Sequence, residues 1–269
     1  MLLAIDVGNT QTVIGLYDLA SSDEPNVERR LADTCLLDHW RVSTNAERTA
    51  DEQALVIQEF LGFHGFSFDE DIDGICLCSS VPRVAGALRR MSERYFEMPA
   101  VVVEPGVRTG LPVLVDNPKE VGPDRIANAV AAYDLHRGPT IVVDFGTATT
   151  FDAISRGGEY LGGAIFPGID ISLDALFARA AALRRVELVE PRQVIGRSTV
   201  ESIQSGVIYG YSALVDGMVA RVQAELGEEA AVVSTGGLSG LMTPLSSSIV
   251  HHEPWLTLHG LRLIYEKNR

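Results

Sequence analysis

The chain has 269 residues, which suits one large domain or two medium ones, and 46% of them are hydrophobic, enough for a packed core. The formal net charge of -14 argues against a nucleic-acid or anionic-membrane surface, because both require clustered basic residues. No apolar run approaches the roughly 20 residues of a membrane span, and the apolar start is too short for a signal peptide. An odd count of three cysteines is typical of a reducing compartment, so we expect a cytoplasmic protein without membrane or nucleic-acid partners.

The first strand-like segment is repeated about half the chain length later. Residues 3–13 read LAIDVGNTQTV and residues 141–151 read IVVDFGTATTF. Each is an apolar strand that ends in Asp-x-Gly, followed by a hydroxyl-rich turn and a second apolar run. The alignment matches three pairs of residues: Asp6 with Asp144, Gly8 with Gly146 and Thr12 with Thr150. Each half of the chain is therefore a candidate domain that opens with the same hairpin.

The remaining elements alternate between strand and helix patterns, which indicates an α/β architecture. Helical spacing occurs at residues 50–60, 84–96, 125–135, 171–183, 200–226 and 256–266, and strand patterns at 74–81, 100–103 and 231–235. Residues 21–29 are polar and predict a loop. The proline- and glycine-rich stretch 104–119 is the best candidate boundary, so we expect domains at 1–118 and 119–269. The terminal helix could pack back across that boundary.

The chain lacks the usual nucleotide-binding motifs. A P-loop needs Gly-x-x-x-x-Gly-Lys-Ser/Thr, and neither of the two lysines, Lys119 and Lys267, has that context. The two Asp-x-Gly hairpins offer another way to hold phosphate, through backbone N–H groups and hydroxyls. A carboxylate beside a phosphate is repulsive unless a cation lies between them, so Asp6 and Asp144 imply Mg²⁺ or another hard cation. The alternative is that both are ordinary turns in which Asp caps the chain.

The segment 116–125 leads into a predicted helix and carries a second candidate acid–base group. Gly122 and Pro123 fix a turn, and Asp124 lies where a helix N-terminus favours a carboxylate. Asp124 could simply cap the helix. It could also accept the proton of a substrate hydroxyl, while Arg125 balances negative charge on the substrate or the phosphate.

Together these motifs resemble the type III pantothenate kinases. The matching segments are DVGNT near the start, DNPxEVGxDRI in the middle, DFGTATTFD, LGGAI with PG, GR-TVE-IQSG, the STGG turn at 234–237 and the terminal LTLxGLRLIYE. They run in order from the first residues to the last. The resemblance implies two RNase H-like domains of the actin-like ATPase and sugar-kinase superfamily, with ATP in the interdomain cleft. It also implies that ATP phosphorylates pantothenate, the first step of coenzyme A biosynthesis.

The resemblance assigns a role to each matching position. It implies that the first phosphate loop is formed by Asp6, Val7, Gly8, Asn9, Thr10, Gln11, Thr12 and Val13, and that Thr147 is a second ATP contact. Asp144 would bind a monovalent cation, K⁺ or NH₄⁺, and Asp6 would serve Mg²⁺, directly or through water. The pantothenate site would comprise Val115, Gly122, Pro123, Asp124, Arg125 and Thr199, with Asp124 as the proton acceptor. Thr199 would come from the neighbouring subunit of a homodimer.

Three positions depart from the family pattern. Val115 stands where tyrosine is common, which removes a hydroxyl and an aromatic face from the expected pocket. Pro123 replaces alanine and should stiffen its loop, and Ser198 replaces asparagine beside Thr199. Val115 keeps one rival hypothesis open, a kinase of the same superfamily that acts on a sugar or carboxylate. A second rival, an accessory transcription factor, is disfavoured by the retained Asp6, Asp124 and Asp144 and by the acidic composition.

Other conspicuous residues favour structural roles. Cys76 and Cys78 lie in an apolar strand pattern and are expected to pack in the core. The pair His251–His252 is expected in a surface loop rather than at a metal site. Trp40 and Trp255 are expected in the core or at an interface. For residues 41–50, both a helix cap and a ligand contact are possible.

Overall fold

The computed structural model describes residues 1–19, 35–180 and 183–269. The loop predicted at residues 21–29 lies outside these ranges. The described residues divide into two compact units, Met1–Leu135 with Trp255–Arg269, and His136–Pro254. Within the described part of the chain, no helix is both long enough and apolar enough to cross a bilayer.

The first unit is built on a five-stranded mixed sheet. Its strands are β1 (Leu2–Val7), β2 (Gln11–Tyr17), β3 (Leu36–Ser43), β4 (Gly74–Ser79) and β5 (Val101–Val102), in the order β3-β2-β1-β4-β5. β1 pairs antiparallel with β2 and parallel with β4, so it lies at the centre of the sheet. Its continuous apolar sequence suits this central position, because both faces of a central strand are covered.

The first unit also contains helices that follow these strands in the chain. They are α1 (Ala50–Gly62), α2 (Phe68–Asp71), α3 (Pro82–Tyr95) and α4 (Pro123–His136), with a short 3₁₀ helix at Pro118–Glu120. Alternate residues of β1, among them Leu3, Ile5 and Val7, join buried residues of α1 and α3 in one core. Thr49 begins α1 with a capping box: its hydroxyl accepts a bond from the Glu52 N–H, and the Glu52 carboxylate accepts one from the Thr49 N–H.

The second unit repeats the same sheet. Its strands are β6 (Thr140–Phe145), β7 (Ala148–Ile154), β8 (Tyr160–Pro167), β9 (Ala231–Thr235) and β10 (His251–His252), in the order β10-β9-β6-β7-β8. The helices are α5 (Ile169–Arg179), α6 (Thr199–Leu226) and α7 (Ser239–Met242), with a 3₁₀ turn at Thr243–Leu245. Side chains from β6, α5 and α6 form its core. Strand for strand, β6 to β10 correspond to β1 to β5, with the same parallel and antiparallel pairings.

The register of the two hairpins corrects one pairing of the sequence alignment. Val7 pairs with Thr12 in the first hairpin, whereas Phe145 pairs with Thr149 in the second. The second turn is therefore one residue shorter, and the counterpart of Thr12 is Thr149 rather than Thr150. An ungapped alignment could not show this, because each segment contains more than one threonine after its glycine.

The last helix, α8 (Leu256–Glu266), belongs to the first unit and packs on β1 and β4. It also contacts α4. The Thr257 hydroxyl donates to Asn128 Oδ1 at 2.7 Å, and a Cβ added at Gly260 would lie within 3.0 Å of the Ala127 backbone. Contacts of this kind place residues 119–135 with the first unit, so the observed division differs from the boundary that composition indicated at residue 118.

Most predicted elements occur within a few residues of their expected positions, and one assignment was wrong. Cys76 and Cys78 are buried in β4, as expected for core residues. Trp40 stacks on Phe60 with ring centroids 5.3 Å apart. His251–His252 was expected in a surface loop but forms β10, which pairs parallel with β9. A two-residue strand is too short to leave a periodic signal in the sequence.

The approach of α8 to α4 yields a stability prediction. We expect Gly260→Ala to lower the free energy of unfolding by about 2 to 3 kcal/mol, because the added methyl group meets backbone that cannot rotate away. Gly86→Ala in α3 is the matched control. A Cβ there meets nothing closer than 3.6 Å, so helix propensity should make this variant as stable as the parent chain or more so. Urea unfolding measures both, and equal stabilities would contradict the close packing.

Candidate active site

The first hairpin presents an open turn between β1 and β2. The turn closes with a hydrogen bond from the Gly8 N–H to the Gln11 carbonyl, at 3.0 Å. Asn9, Thr10 and Gln11 are exposed, whereas the strand residues that flank them are mostly buried. A rigid turn with exposed backbone N–H groups is suited to binding an anion such as phosphate.

Thr44, the first residue after β3, forms hydrogen bonds that support this turn. The Thr44 hydroxyl donates to the Gly8 carbonyl at 2.8 Å and lies 2.9 Å from the Thr12 hydroxyl. The Thr44 N–H donates to the Thr10 carbonyl at 3.0 Å. The Thr12 side chain is buried and engaged here. For residues 41–50, the helix-cap interpretation therefore holds at Thr49, and Thr44 contacts the hairpin.

Asp6 ends β1 beside this turn and lies near a second carboxylate. Burial, and after it the negative charge of Asp124, raise the pKa of Asp6 to about 7. Two groups oppose that rise: the Cys78 thiol donates a hydrogen bond to Asp6 Oδ1 at 3.2 Å, and the Arg41 cation attracts the carboxylate. Asp6, Val13 and Arg41 are aligned across adjacent strands and so share one face of the sheet.

Asp124 lies in the first turn of α4, where the partial positive charge of the helix favours a carboxylate. Its Oδ1 accepts a hydrogen bond from the Arg125 N–H at 2.9 Å. A Cβ added at Gly122 would lie within 3.0 Å of that same oxygen. The carboxylate therefore folds back over Gly122, and only glycine leaves it room there.

The second hairpin is assembled with glycines. The Gly146 N–H donates to the Ala148 carbonyl at 3.0 Å, and the Gly168 N–H donates to the Thr147 carbonyl at 3.1 Å. A Cβ at Gly168 would collide with the carbonyls of Gly146 and Thr147. Gly236, at φ +92°, lies against Asp144 in the same way, since its Cβ would fall within 3.0 Å of Asp144 Oδ1. The PG and STGG segments thus pack against this hairpin.

The sequence-predicted residues separate into groups. Asp6, the 8–11 turn and Asp124 lie together in the first unit, and Asp144 and Thr147 lie together in the second. Thr199 is exposed at the start of α6, where the Ser198 hydroxyl accepts a capping bond from the Glu201 N–H at 3.2 Å. Four further residues lie near the site: Arg41, Thr44, Gly168 and Cys78. From the sequence, Cys78 was expected only in the core and Gly168 was only part of a motif, and residues 41–50 left both a helix cap and a ligand contact possible. Only strand register could have indicated Arg41 and Cys78 in advance.

No ready-made metal cluster exists among the residues that the structure describes, since no three His, Cys, Asp or Glu side chains converge. A cation at Asp6 or Asp144 would need further ligands from a bound phosphate, from backbone carbonyls or from water. Mg²⁺ commonly binds in this way, through one or two carboxylates and the phosphates of its nucleotide.

Comparison with known proteins identifies the family. The family model described as type III pantothenate kinase matches residues 2–221. Two curated relatives are a type III pantothenate kinase from Streptomyces griseus, 54% identical over 100% of this chain and 98% of its own, and one from Thermobifida fusca, 52% identical over 100% of both chains.

Solved structures with low sequence identity show the fold. A Campylobacter jejuni protein assigned to the Baf family of transcriptional activators has a TM-score of 0.60 at 18% identity and covers 99% of this chain and 98% of its own. A Streptomyces griseus ROK family glucokinase, in complex with glucose and AMPPNP, has a TM-score of 0.53 at 12% identity, over 98% of this chain and 99% of its own. The two similar sheets are therefore those of the actin-like ATPase and sugar-kinase fold. The chain belongs to the type III pantothenate kinase family, whose members use ATP to phosphorylate pantothenate in the first step of coenzyme A biosynthesis.

Proposed function

We propose that Asp124 is the general base of this phosphoryl transfer and that the 8–11 turn holds the ATP phosphates. One observation carries the proposal: Asp124 lies close enough to Asp6 for its charge to raise the pKa of that carboxyl, and Asp6 ends the strand that leads into the turn. A proton acceptor beside a phosphate-binding turn is the arrangement that transfer to a hydroxyl group requires.

In the proposed reaction, the γ-phosphoryl group of ATP is transferred to the hydroxyl group of pantothenate. The Asp124 carboxylate takes the proton of the pantothenate hydroxyl as its oxygen attacks the γ-phosphorus of ATP. The bond between the γ-phosphorus and the β–γ bridging oxygen breaks, and ADP leaves. Arg125, next in the chain, is proposed to attract the pantothenate carboxylate. Gly122, Pro123 and Val115 would shape the remainder of that pocket, and valine in place of the family's tyrosine removes one hydrogen-bonding hydroxyl from it.

The acidic groups of the site suit a bound cation. Burial and the nearby charge of Asp124 disfavour the anionic form of Asp6, and a divalent cation near Asp6 would reverse this preference for protonation. We propose that Asp6 holds Mg²⁺, directly or through water. When bound, Mg²⁺ supplies positive charge to the phosphate oxygens as negative charge develops on them.

Asp144 and Thr147 are proposed to form the second half of the nucleotide site. Thr147 is exposed on its turn, as a phosphate contact must be. Asp144 Oδ1 lies beside both Gly236 and Gly146. A Cβ built on Gly236 would lie within 3.0 Å of this oxygen, and a Cβ built on Gly146 would lie 3.4 Å from it. Because neither Gly146 nor Gly236 has a side chain, none from these two positions competes with a cation beside the Asp144 carboxylate. We propose K⁺ or NH₄⁺, because these large monovalent cations require a site that is not crowded by side chains.

The surface of the second unit supports a homodimer. Large apolar side chains are exposed on neighbouring elements: Leu161, Ile165 and Phe166 on β8, Ile171 and Leu176 on α5, and Val200 on α6. β8 is also an edge strand. Clustered exposed apolar side chains often mark a surface that binds a partner, and Thr199 lies next to Val200. We propose that a second copy covers this surface in a cytoplasmic enzyme, and that Thr199 reaches the partner's substrate.

The role of Asp124 is tested by removing its negative charge. We expect Asp124→Asn to lower kcat about 10²- to 10⁴-fold, because an amide cannot accept the hydroxyl proton. Affinity for a nonhydrolysable ATP analogue should persist, since like-charge repulsion near the phosphates is removed. Glu93→Gln, an exposed position on α3, is the charge-matched control and should behave as the parent chain. A wild-type rate of ADP release from Asp124→Asn would remove Asp124 from the mechanism.

A second variant separates the position of Asp124 from its charge. Gly122→Ala keeps the carboxylate but pushes it from its place over Gly122. A displacement of about 1 Å can cost on the order of 10²-fold in rate, so kcat should fall without loss of thermal stability. An unchanged kcat in a folded Gly122→Ala enzyme would show that this carboxylate position is not needed.

Asp6 makes the stability of the unliganded protein depend on pH. The folded pKa of about 7 lies above the ordinary value of 3.8, so the folded state binds more protons than the unfolded state between about pH 4 and pH 7. The free energy of unfolding should therefore fall as pH rises through that window, by up to about 1.4 kcal/mol per unit. Asp6→Asn should remove this contribution. Urea unfolding from pH 4 to pH 8 measures the difference, and parallel profiles for the two proteins would contradict the raised pKa.

The monovalent cation is tested by ion replacement at constant ionic strength. Replacing potassium by choline should lower kcat about ten-fold or more, because charge near the phosphoryl oxygens is lost. Ammonium should restore the rate. In Asp144→Asn, whatever activity remains should no longer respond to potassium. Equal rates in potassium and choline would rule out the role proposed for Asp144.

A further inference from the structure

Thr44 forms three hydrogen bonds with the first hairpin, which holds the 8–11 turn. It is the first residue after β3, and its hydrogen bonds reach three positions of the first hairpin: the Gly8 carbonyl, the Thr10 carbonyl and the Thr12 hydroxyl. Each partner lies more than 30 positions away in the sequence. Two of the three bonds are made by the hydroxyl, so the side chain itself carries most of this support.

These bonds determine which way the peptide groups of the turn face. A trans peptide holds its C=O and N–H on opposite sides of one plane. When the Thr44 hydroxyl binds the Gly8 carbonyl, the Asn9 N–H in the same plane must point the other way, toward the open side of the turn. The Asn9 N–H has no hydrogen-bond partner within the ranges that the structure describes. Thr44 therefore directs a free donor outward and keeps a carbonyl oxygen away from any bound anion.

The second hairpin shows that the fold does not demand this side chain. There the equivalent position is Gly168, whose N–H donates to the Thr147 carbonyl at 3.1 Å, as the Thr44 N–H does to Thr10 at 3.0 Å. Gly168 has no hydroxyl, and the buried Thr149 hydroxyl, the counterpart of Thr12, has no partner in the described residues. The same backbone hydrogen bond thus occurs in both units, and in the first unit the Thr44 hydroxyl adds to it.

We propose that Thr44 is a positioning residue for ATP: its hydroxyl fixes the 8–11 turn with the Asn9 N–H directed at a phosphate oxygen. This inference rests on the proposed role of that turn in nucleotide binding. A turn fixed in advance binds its anion without a further loss of conformational freedom. Loss of the hydroxyl should therefore weaken ATP binding more than it affects pantothenate.

The test compares steady-state kinetics for the full-length enzyme and four variants. Thr44→Val removes the hydroxyl but keeps the shape and the backbone bond to Thr10. We expect KM for ATP to rise about ten-fold, since two hydrogen bonds are lost, while KM for pantothenate stays within about two-fold. Thr44→Ser keeps the hydroxyl and should restore KM for ATP to within about two-fold of the parent. Thr140→Val is the matched control: it removes a buried threonine hydroxyl that donates to the Gly138 carbonyl at 3.0 Å, and it should leave both KM values unchanged.

The fourth variant separates this inference from the assignment of the turn. Gly8→Val disturbs the turn directly, because even a Cβ would lie 3.1 Å from the Gln11 carbonyl. If Gly8→Val raises KM for ATP and Thr44→Val does not, the role of Thr44 is refuted while the turn remains the phosphate site. If neither changes it, the turn itself is wrongly assigned. A Thr44→Val enzyme that loses thermal stability yet keeps its KM for ATP also refutes the proposal. If Thr44→Val does not fold, Thr12→Val is the replacement variant, because it removes the hydrogen bond between the Thr12 and Thr44 hydroxyls. An unchanged KM for ATP in Thr12→Val would refute the role of Thr44.

Discussion

The burial of the Asp6 carboxylate, with Asp124 nearby, is the constraint on which the candidate site of the first unit depends. The central strand delivers Asp6 to one edge of the sheet, and the N-terminus of α4 brings Asp124 near it. Among the residues that the structure describes, neither carboxylate forms an ion pair: Asp6 receives a weak thiol hydrogen bond and the attraction of the exposed Arg41. Two acidic groups in this relation are destabilising alone and favourable beside a cation. The proposed metal–nucleotide complex would stabilise this arrangement.

The duplicated sheet explains why chemistry appears at the same place in both units. In each, an antiparallel hairpin leaves the central strand directly after an aspartate, so a carboxylate and a turn of backbone donors are always neighbours. The copies differ in how the turn is held. Thr44 supports the first with its side chain, whereas Gly168 and Gly236 allow other segments to press against the second. One frame has thereby produced two sites with different requirements for side chains.

Much of this could be predicted from the sequence because the signals are local. Apolar strands that end in Asp-x-Gly indicated both hairpins, and helical periodicity located α4, α6 and α8. The features that could not be predicted depend on contacts between distant segments. Thr44 bonds to Gly8 across 36 positions, and its segment, residues 41–50, indicated a helix cap or a ligand contact but not a contact with the hairpin. Thr12 was aligned with Thr150 because a one-residue difference in turn length is visible only in the strand register. Likewise, α8 joins the first unit through contacts with α4, which composition at residue 118 could not indicate.

The motif glycines gain a physical explanation from these contacts. At Gly122 and Gly236 the space that a Cβ would need is taken by a carboxylate oxygen, that of Asp124 in one case and of Asp144 in the other. The close approach of a carboxylate oxygen explains the need for glycine at both positions. Gly236 also has a positive φ, which is a second reason for glycine there and does not apply to Gly122. Each of these carboxylates is therefore held in place partly by the absence of a neighbouring side chain. An alanine at either position would keep every acidic residue of the site and still change its geometry. For this reason the candidate site of this chain is defined by the acidic residues together with the adjacent glycines.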